Sequence, residues 1–205
     1  AVSLHLRYAV KRRRKLAFLF MLYDVMHTPL LWRRFFEAAD PAKFTILVHA
    51  SKRLGAKDRV TEHASWFEQH FIPRQSSQWY NMSQVYFGLF ESALRDPLVG
   101  KVVLLSADVV PLTDFSHVHD WAFRDEKTWL CMDHEVTRAE AFALISRRHL
   151  QMLVKRKATI LDLKDAMGCC DAEDLVPQSL LLLGEHQRIR DSCVVFTQWA
   201  LPKYF

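Results

Sequence analysis

Three short stretches of this sequence carry side chains that can do chemistry. Asp133-His134-Glu135 follows the run Trp129-Leu130-Cys131-Met132. Two carboxylates one residue apart at a strand end are how metal-dependent enzymes of nucleotide sugars hold Mn2+ or Mg2+ against a diphosphate. An acidic turn between two strands has the same composition. Asp171-Ala172-Glu173-Asp174 follows the adjacent Cys169 and Cys170 and opens a helical pattern. There Asp171 suits an N-cap, Asp174 its capping-box partner and Glu173 a first-turn charge favourable to the helix dipole. A carboxylate fixed at a helix start can also take the proton from an attacking hydroxyl as a general base. The third stretch, Ser77-Gln78-Trp79-Tyr80-Asn81-Met82-Ser83, offers Asn81 or Ser83 as a cap for the helix after it. Its Trp79 is either core or a flat ring for a sugar, and Trp199, ahead of Pro202, has the same two readings.

The apolar pattern sets the framework around these residues. Continuous apolar runs over 16–22, 44–49 and 101–105 read as strands buried on both faces. Between the first two, Pro29 opens a helix over 29–39 with Leu30, Leu31, Phe35 and Ala38 on its apolar stripe, giving the strand–helix–strand unit of a parallel sheet. Further helices are expected over 59–70 and 81–94, the latter with Met82, Val85, Tyr86, Leu89, Phe90 and Ala93 on one stripe. The third strand runs into Ser106-Ala107-Asp108, small and polar residues at the carboxyl end where open α/β sheets bind ligands. Beyond it the pattern gives helix 115–123, strands 128–132 and 141–145, helix 147–154, helix 171–183 and a last strand over 193–197. Lys155-Arg156-Lys157 reads as a solvated helix end. The expected architecture is one α/β domain with a mostly parallel, Rossmann-like sheet flanked by helices.

Composition narrows the function classes. The chain has 205 residues, half of them hydrophobic, with 5 Gly, 7 Pro and a net charge of +5. Six basic residues in the first 23 positions (Arg7, Lys11, Arg12, Arg13, Arg14, Lys15) account for that excess, because the remainder holds 22 basic against 23 acidic groups. The charge is therefore a basic N-terminal flank over 1–14, not the broad basic face of a nucleic-acid binder. The longest apolar run, Leu16 to Tyr23, is 8 residues, against about 20 for a membrane span. Neither GxGxxG, GxxxxGK[ST] nor GxSxG occurs, which argues against a nicotinamide dehydrogenase, a P-loop NTPase and an α/β hydrolase. The four cysteines have no zinc spacing, and their number fits free thiols or one or two disulfides.

Taken in order, KLAFLFMLYDVMHTPLLWRRFFEA, FTILVHAS, SSQWYNMSQVYFGLFESALRD, VVLLSADVVPLTDFSHVHDW, FALISRRHL and CCDAEDLVP resemble the core-2/I-branching glycosyltransferases, glycosyltransferase family 14, in its plant-type branch. The likeness runs over about residues 15–202. It implies a GT-A-like fold over 15–205 and inverting transfer of a sugar, typically N-acetylglucosamine, from a UDP donor to a glycan acceptor, with no metal and no other cofactor. The absence of a DxD motif agrees. By resemblance Glu173, in AEDLVP, is the catalytic base; Val48, His49, Ser51, Ser106 and Asp108 line the donor side; Trp79, Ser83, Arg138 and Trp199 line the acceptor side. Ala50 and Ser51 stand where animal members carry an Asp near the uridine, and Ala139-Glu140-Ala141-Phe142 lacks the family's Trp.

A metal-free transferase needs Lys or Arg to stabilise the departing diphosphate, and the family's basic residues for this lie beyond its equivalent of Trp199. Either Arg138, Arg188, Arg190 or Lys203 substitutes, or the sequence is truncated at its carboxyl end, or the chain is an inert relative that binds a glycan or protein. A metal-dependent transferase using Asp133 and Glu135 is the further alternative. Membership also implies the Golgi or secretory lumen, a type II anchor upstream of Ala1, and a disulfide from Cys169 or Cys170 to Cys131 or Cys193.

Overall fold

The computed structural model describes residues 14–52, 65–78, 81–133, 138–167 and 172–195. Its centre is a six-stranded sheet made of β1 (Lys15–Leu22), β2 (Phe44–Ala50), β3 (Val99–Ser106), β4 (Thr128–Asp133), β5 (Arg138–Ser146) and β6 (Ile189–Asp191), in the order β2-β1-β3-β5-β4-β6. The register of β1 runs parallel to both neighbours, Leu16 to Leu22 opposite Phe44 to Ala50 on one side and Lys15 to Met21 opposite Val99 to Ser106 on the other. Only β5 is reversed: it pairs antiparallel with β3 and β4, while β4 and β6 are parallel. This is the mostly parallel α/β sheet expected from the apolar runs.

Because β1 is buried on both faces, its alternate residues belong to two cores. Leu16, Phe18, Phe20 and Leu22 pack against α1 (Pro29–Glu37) and α3 (Phe115–Ala122). There Phe18 meets Trp32, Phe35 and Phe36 edge-on, a preferred aromatic geometry. Ala17 and Leu19 face α2 (Ser83–Leu94), α4 (Arg147–Lys155), α5 (Lys157–Met167) and α6 (Ala172–Leu182). The aromatic surface of Phe18 and Phe20 selects a different stripe of α1 from the one periodicity suggested. Trp32, Phe35 and Phe36 are buried, whereas Leu30 and Leu31 are exposed. All of the expected stripe of α2 is buried except Met82, which is partly so, and Phe87 and Gly88 are buried too. Its N-cap is Met82, with no side-chain cap, in place of the expected Asn81 or Ser83.

Two further features differ from expectation. The Lys155-Arg156-Lys157 run is the solvated helix end expected, with α4 stopping at Lys155 and capped by Arg156, but a further, unexpected helix, α5, starts at once from Lys157. The last described strand is β6, and Cys193 to Val195 are not in a strand. For the helix expected over 59–70, residues 53–64 lie outside the described set, and the described remainder ends in a 3-10 turn, Glu68–His70.

The edge of the sheet where β1 to β4 begin is densely tied. Lys15 pairs with Asp96 at 2.8 Å and Arg14 with Glu126 at 2.6 Å. Arg147 donates to the carbonyls of Leu94, Asp96 and Val99. Buried Lys101 donates to the Lys127 carbonyl at 2.7 Å and lies 3.5 Å from Asp125. His149, fully buried, bonds Thr128 Oγ1 through Nδ1 at 2.7 Å and Glu185 through Nε2 at 3.2 Å. Arg148 beside Glu185 holds that carboxyl down to about 2, with His149 adding to the effect. This amino edge also carries a groove of about 560 Å³ lined by Asp125 to Lys127 and Gly184 to Arg188.

Candidate functional site

The opposite, carboxyl edge carries Val48, His49, Ser51, Ser106 and Asp108 at or just past the ends of β2 and β3. β1, β2, β3 and β4 all end there, and the reversal of β5 puts its first residue, Arg138, opposite Asp133 at the same edge. The strand order reverses between β1 and β3, which makes their carboxyl ends the switch point where such sheets bind ligands. The β1–α1 and β3–α3 connections meet at that point. Trp32 Nε1 donates to the Val109 carbonyl at 2.8 Å, and His27 Nε2 lies 3.3 Å from Asp108, whose side chain is 80% exposed. Ser106 closes β3 beneath them, half-buried.

On the β2 side the polar groups are turned inward. Val48 is in the core and its carbonyl accepts from Ile72 N at 2.9 Å. His49 is 1% exposed, and its Nε2 accepts the backbone N–H of Gln75 at 3.0 Å. A neutral ring accepting at Nε2 carries its proton on Nδ1, and that Nδ1 is buried without a partner among the described residues. Burial pushes the pKa of His49 below the usual range. Ser51 Oγ accepts from Ser77 Oγ at 2.8 Å. The segment 72–78 is therefore strapped across the end of β2. Gln75 passes so close to α2 that a Cβ on Gly88 would lie 2.7 Å from its Cγ. The strap ends where Gln78 and Asn81 exchange two backbone hydrogen bonds, on either side of residues 79–80.

Two helices bring their first turns to this edge. The Leu94 carbonyl at the end of α2 is held by Arg147 at the amino edge, so Ser83 lies at the other end. Likewise the turn after α6 carries Glu185 to His149 at the amino edge. At 1.5 Å per residue, the length of α6 puts its first turn, with Glu173, roughly 16 Å away toward the carboxyl edge. The side chain of Glu173 lies outside the described set, as do the side chains of Asp133 and Arg138 and the whole of Trp79, Glu135 and Trp199. Ser83 is fully buried, and its Oγ accepts from Lys164 Nζ at 2.8 Å. Lys164 also donates to Asn81 Oδ1. No sequence signal singled out Lys164, because the helix that carries it was not expected.

Two of the bases expected to face the diphosphate are elsewhere. Arg190 sits opposite Trp129 in the register and pairs with Asp125 at 2.8 Å, and Arg188 lies 3.5 Å from Glu185. Both belong to the amino edge and already have carboxylate partners. Lys203 lies outside the described residues. The disulfide is also corrected: Cys131 in β4 pairs with Cys193 just after β6, and Cys169 and Cys170 lie outside the described set. Among the described residues no cluster of three His, Cys, Asp or Glu side chains is placed to hold a metal ion, and no helix is long and apolar enough to cross a membrane.

Helices on both faces of a mostly parallel sheet define a three-layer α/β domain, and its switch point lies at the edge where sheets of this kind bind ligands. Comparison with known proteins carries the assignment further. The family model of the Core-2/I-Branching enzyme matches residues 16–142, more than half of the sequence, and the chain belongs to that family. Glycosyltransferase BC10 of Oryza sativa subsp. japonica is 27% identical over 109 residues, which are 52% of this chain and 27% of the rice protein. The chain thus spans only a minor part of that relative's length. The crystal structure of the glycosyltransferase GlyE of Streptococcus pneumoniae TIGR4 matches with a TM-score of 0.49 and 14% identity, covering 86% of this chain and 44% of that one.

Proposed function

We propose that this chain is the sheet-forming part of an inverting, metal-independent glycosyltransferase that moves N-acetylglucosamine from a UDP donor to a glycan hydroxyl. Family membership supports transfer of a sugar, and one contact supports the site: Glu185 past the end of α6 reaches His149 at the amino edge, so the helix, in this reading, starts with Glu173 toward the opposite edge. In this reading the carboxylate of Glu173 takes the acceptor hydroxyl proton as the oxygen attacks the anomeric carbon. The bond from that carbon to the diphosphate breaks on the opposite face, and UDP leaves with the electron pair. Residues at the β2 and β3 ends, His49, Ser51, Ser106 and Asp108, serve the donor. Trp79, Ser83, Arg138 and Trp199 serve the acceptor.

In this reading the protein works in the Golgi or secretory lumen, as the lumenal domain of a type II membrane protein. The Cys131–Cys193 disulfide supports an oxidising compartment. The position of Asp133 at the carboxyl end of β4 favours one competing reading, a metal site completed by Glu135. Titration of UDP and a panel of UDP-sugars in EDTA separates these readings. Binding in EDTA, with turnover abolished by Glu173→Gln, supports the proposal. Binding only after Mn2+ is added supports the acidic pair, and no binding in either condition supports an inert relative.

A further inference from the structure

Beyond residue 23 the basic and acidic groups nearly balance in number, yet the fold distributes them unevenly. The amino edge of the sheet carries a cation at every strand. In the order of the strands, Lys43 precedes β2, Lys15 opens β1, Arg95 precedes β3, Arg148 follows the reversed β5, Lys127 precedes β4 and Arg188 precedes β6. Strands spaced by about 4.8 Å make this a row roughly 24 Å long. The carboxylates along it do not cancel it. Asp125 lies against both Lys101 and Arg190, and Glu185 against both Arg148 and Arg188. Arg14–Glu126, Lys15–Asp96 and, in the last turn of α1, Arg33–Glu37 balance one for one. Exposed Arg95, Arg124 and Lys127 have no carboxylate partner among the described residues. Against them stand Asp40, which caps the turn before β2, and Asp120 beside His119. The sequence continues the surplus: Arg7, Lys11, Arg12 and Arg13 lead into Arg14, which Glu126 ties to this edge.

A second feature sits inside the row. Leu98 is 46% exposed next to exposed Pro97, and its carbonyl accepts from Lys15 N at 2.9 Å, so it stands where β1 and β3 begin. We propose that the amino edge docks on an anionic membrane surface, with the cation row and the basic flank at the headgroups and Leu98 entering the interface between them. Each Lys or Arg held near an anionic leaflet strengthens binding roughly fivefold, within a Debye length of the surface. An acidic polysaccharide matches the same charge, but it offers nothing to an exposed leucine, whereas the headgroup–acyl boundary does. Docked this way, the protein turns its carboxyl edge away from the bilayer and leaves that edge open to glycans. The proposal is independent of the UDP-sugar reading.

The test is co-sedimentation of the full chain with vesicles of phosphatidylcholine alone and of equimolar phosphatidylcholine and phosphatidylserine, beside a titration with soluble polygalacturonate. Three variants are compared with the wild type: Arg95→Gln/Lys127→Gln, Leu98→Ser, and Lys155→Gln/Arg156→Gln, whose exposed cations lie at the far end of α4. Expected is binding that needs phosphatidylserine and fades with added salt. It weakens by roughly tenfold or more in Arg95→Gln/Lys127→Gln and by about threefold in Leu98→Ser, and it is unchanged in Lys155→Gln/Arg156→Gln. No binding to the mixed vesicles overturns the proposal. So does equal weakening by the edge pair and the α4 pair, which makes the attraction one of net charge alone. Binding left intact by Arg95→Gln/Lys127→Gln assigns it to the flank without the edge and also overturns the proposal. Polygalacturonate bound more tightly than the vesicles, with Leu98→Ser without effect on either, gives the edge to an acidic glycan and refutes the membrane assignment.

Discussion

Breaking the Cys131–Cys193 disulfide tests how the edge of the sheet is held. The bridge spans 62 positions of sequence and encloses β5, α4, α5, α6 and β6. In the chain-entropy treatment, closing a loop of that length costs the unfolded chain about 14 cal/mol/K, or about 4 kcal/mol at 25 °C. Without the bridge β6 keeps its three register pairs with β4 and the Arg190–Asp125 pair. The native state therefore loses little enthalpy, and the loss of stability is mainly that entropy. With an m-value of about 2.5 kcal/mol/M, the urea midpoint of the double variant Cys131→Ser/Cys193→Ser falls by about 1.5 M. Dithiothreitol produces the same shift in the wild type and none in the variant. Denaturation followed by tryptophan fluorescence provides the measurement, with a thiol count before and after reduction. A midpoint that moves by less than a few tenths of a molar in both cases refutes the loop argument.

Other outcomes rest on the same geometry. Glu173→Gln removes the expected base without changing shape, so turnover falls by about 10²-fold or more while UDP affinity stays within twofold, measured by UDP release and calorimetry. Glu185 has its carboxyl held near 2 by Arg148, so the stability it contributes is present above about pH 4.5 and is lost as pH falls toward 2. Glu185→Gln flattens that limb of the stability–pH curve, which thermal melts from pH 2 to 6 read directly. Burial lowers the pKa of His49, His70 and His149. All three favour the neutral ring in the fold, so stability also declines as pH drops below about 6.5, and His149→Gln reduces that slope in the same melts. Gly88→Ala drives a methyl into Gln75 and costs roughly 1–3 kcal/mol as overpacking. The hydrogen bond from the Gln75 backbone N–H to His49 then loosens, detected as faster hydrogen exchange at Gln75.

The sheet was largely legible because its strands are runs such as Leu16 to Leu22, apolar on both faces, which need cover on both sides whatever the rest of the chain does. What escaped was decided by partners distant in sequence. Helical spacing marks several overlapping stripes on α1, and only the rings on β1 choose Trp32 and Phe36 over Leu30 and Leu31. Helix α5 mixes Lys, Asp and Thr with Leu and Ile behind a basic run, so nothing local distinguishes it from a solvated connection. Lys164 was hidden with it. Strand β6 is three residues long with two charges, too short for any periodicity; Arg190 lying over Trp129 and the neighbouring disulfide hold it in place. At the site, Glu173 was recognisable as a first-turn acid, but which edge α6 starts from depends on Glu185 reaching His149, a contact across 36 positions.

The contrast between the two edges bears on how such a protein changes over generations. The ion pairs of Lys15, Arg14 and Lys101 and the buried bonds of Arg147 and His149 all clamp the amino edge. At the carboxyl edge the described contacts are mostly loops touching one another, such as His27 with Asp108 and Ser77 with Ser51. Replacements in those loops can therefore vary the surface of that edge while the clamp keeps the domain folded. Screening libraries confined to the carboxyl-edge loops, on a background stabilised at the amino edge, would draw on the same separation.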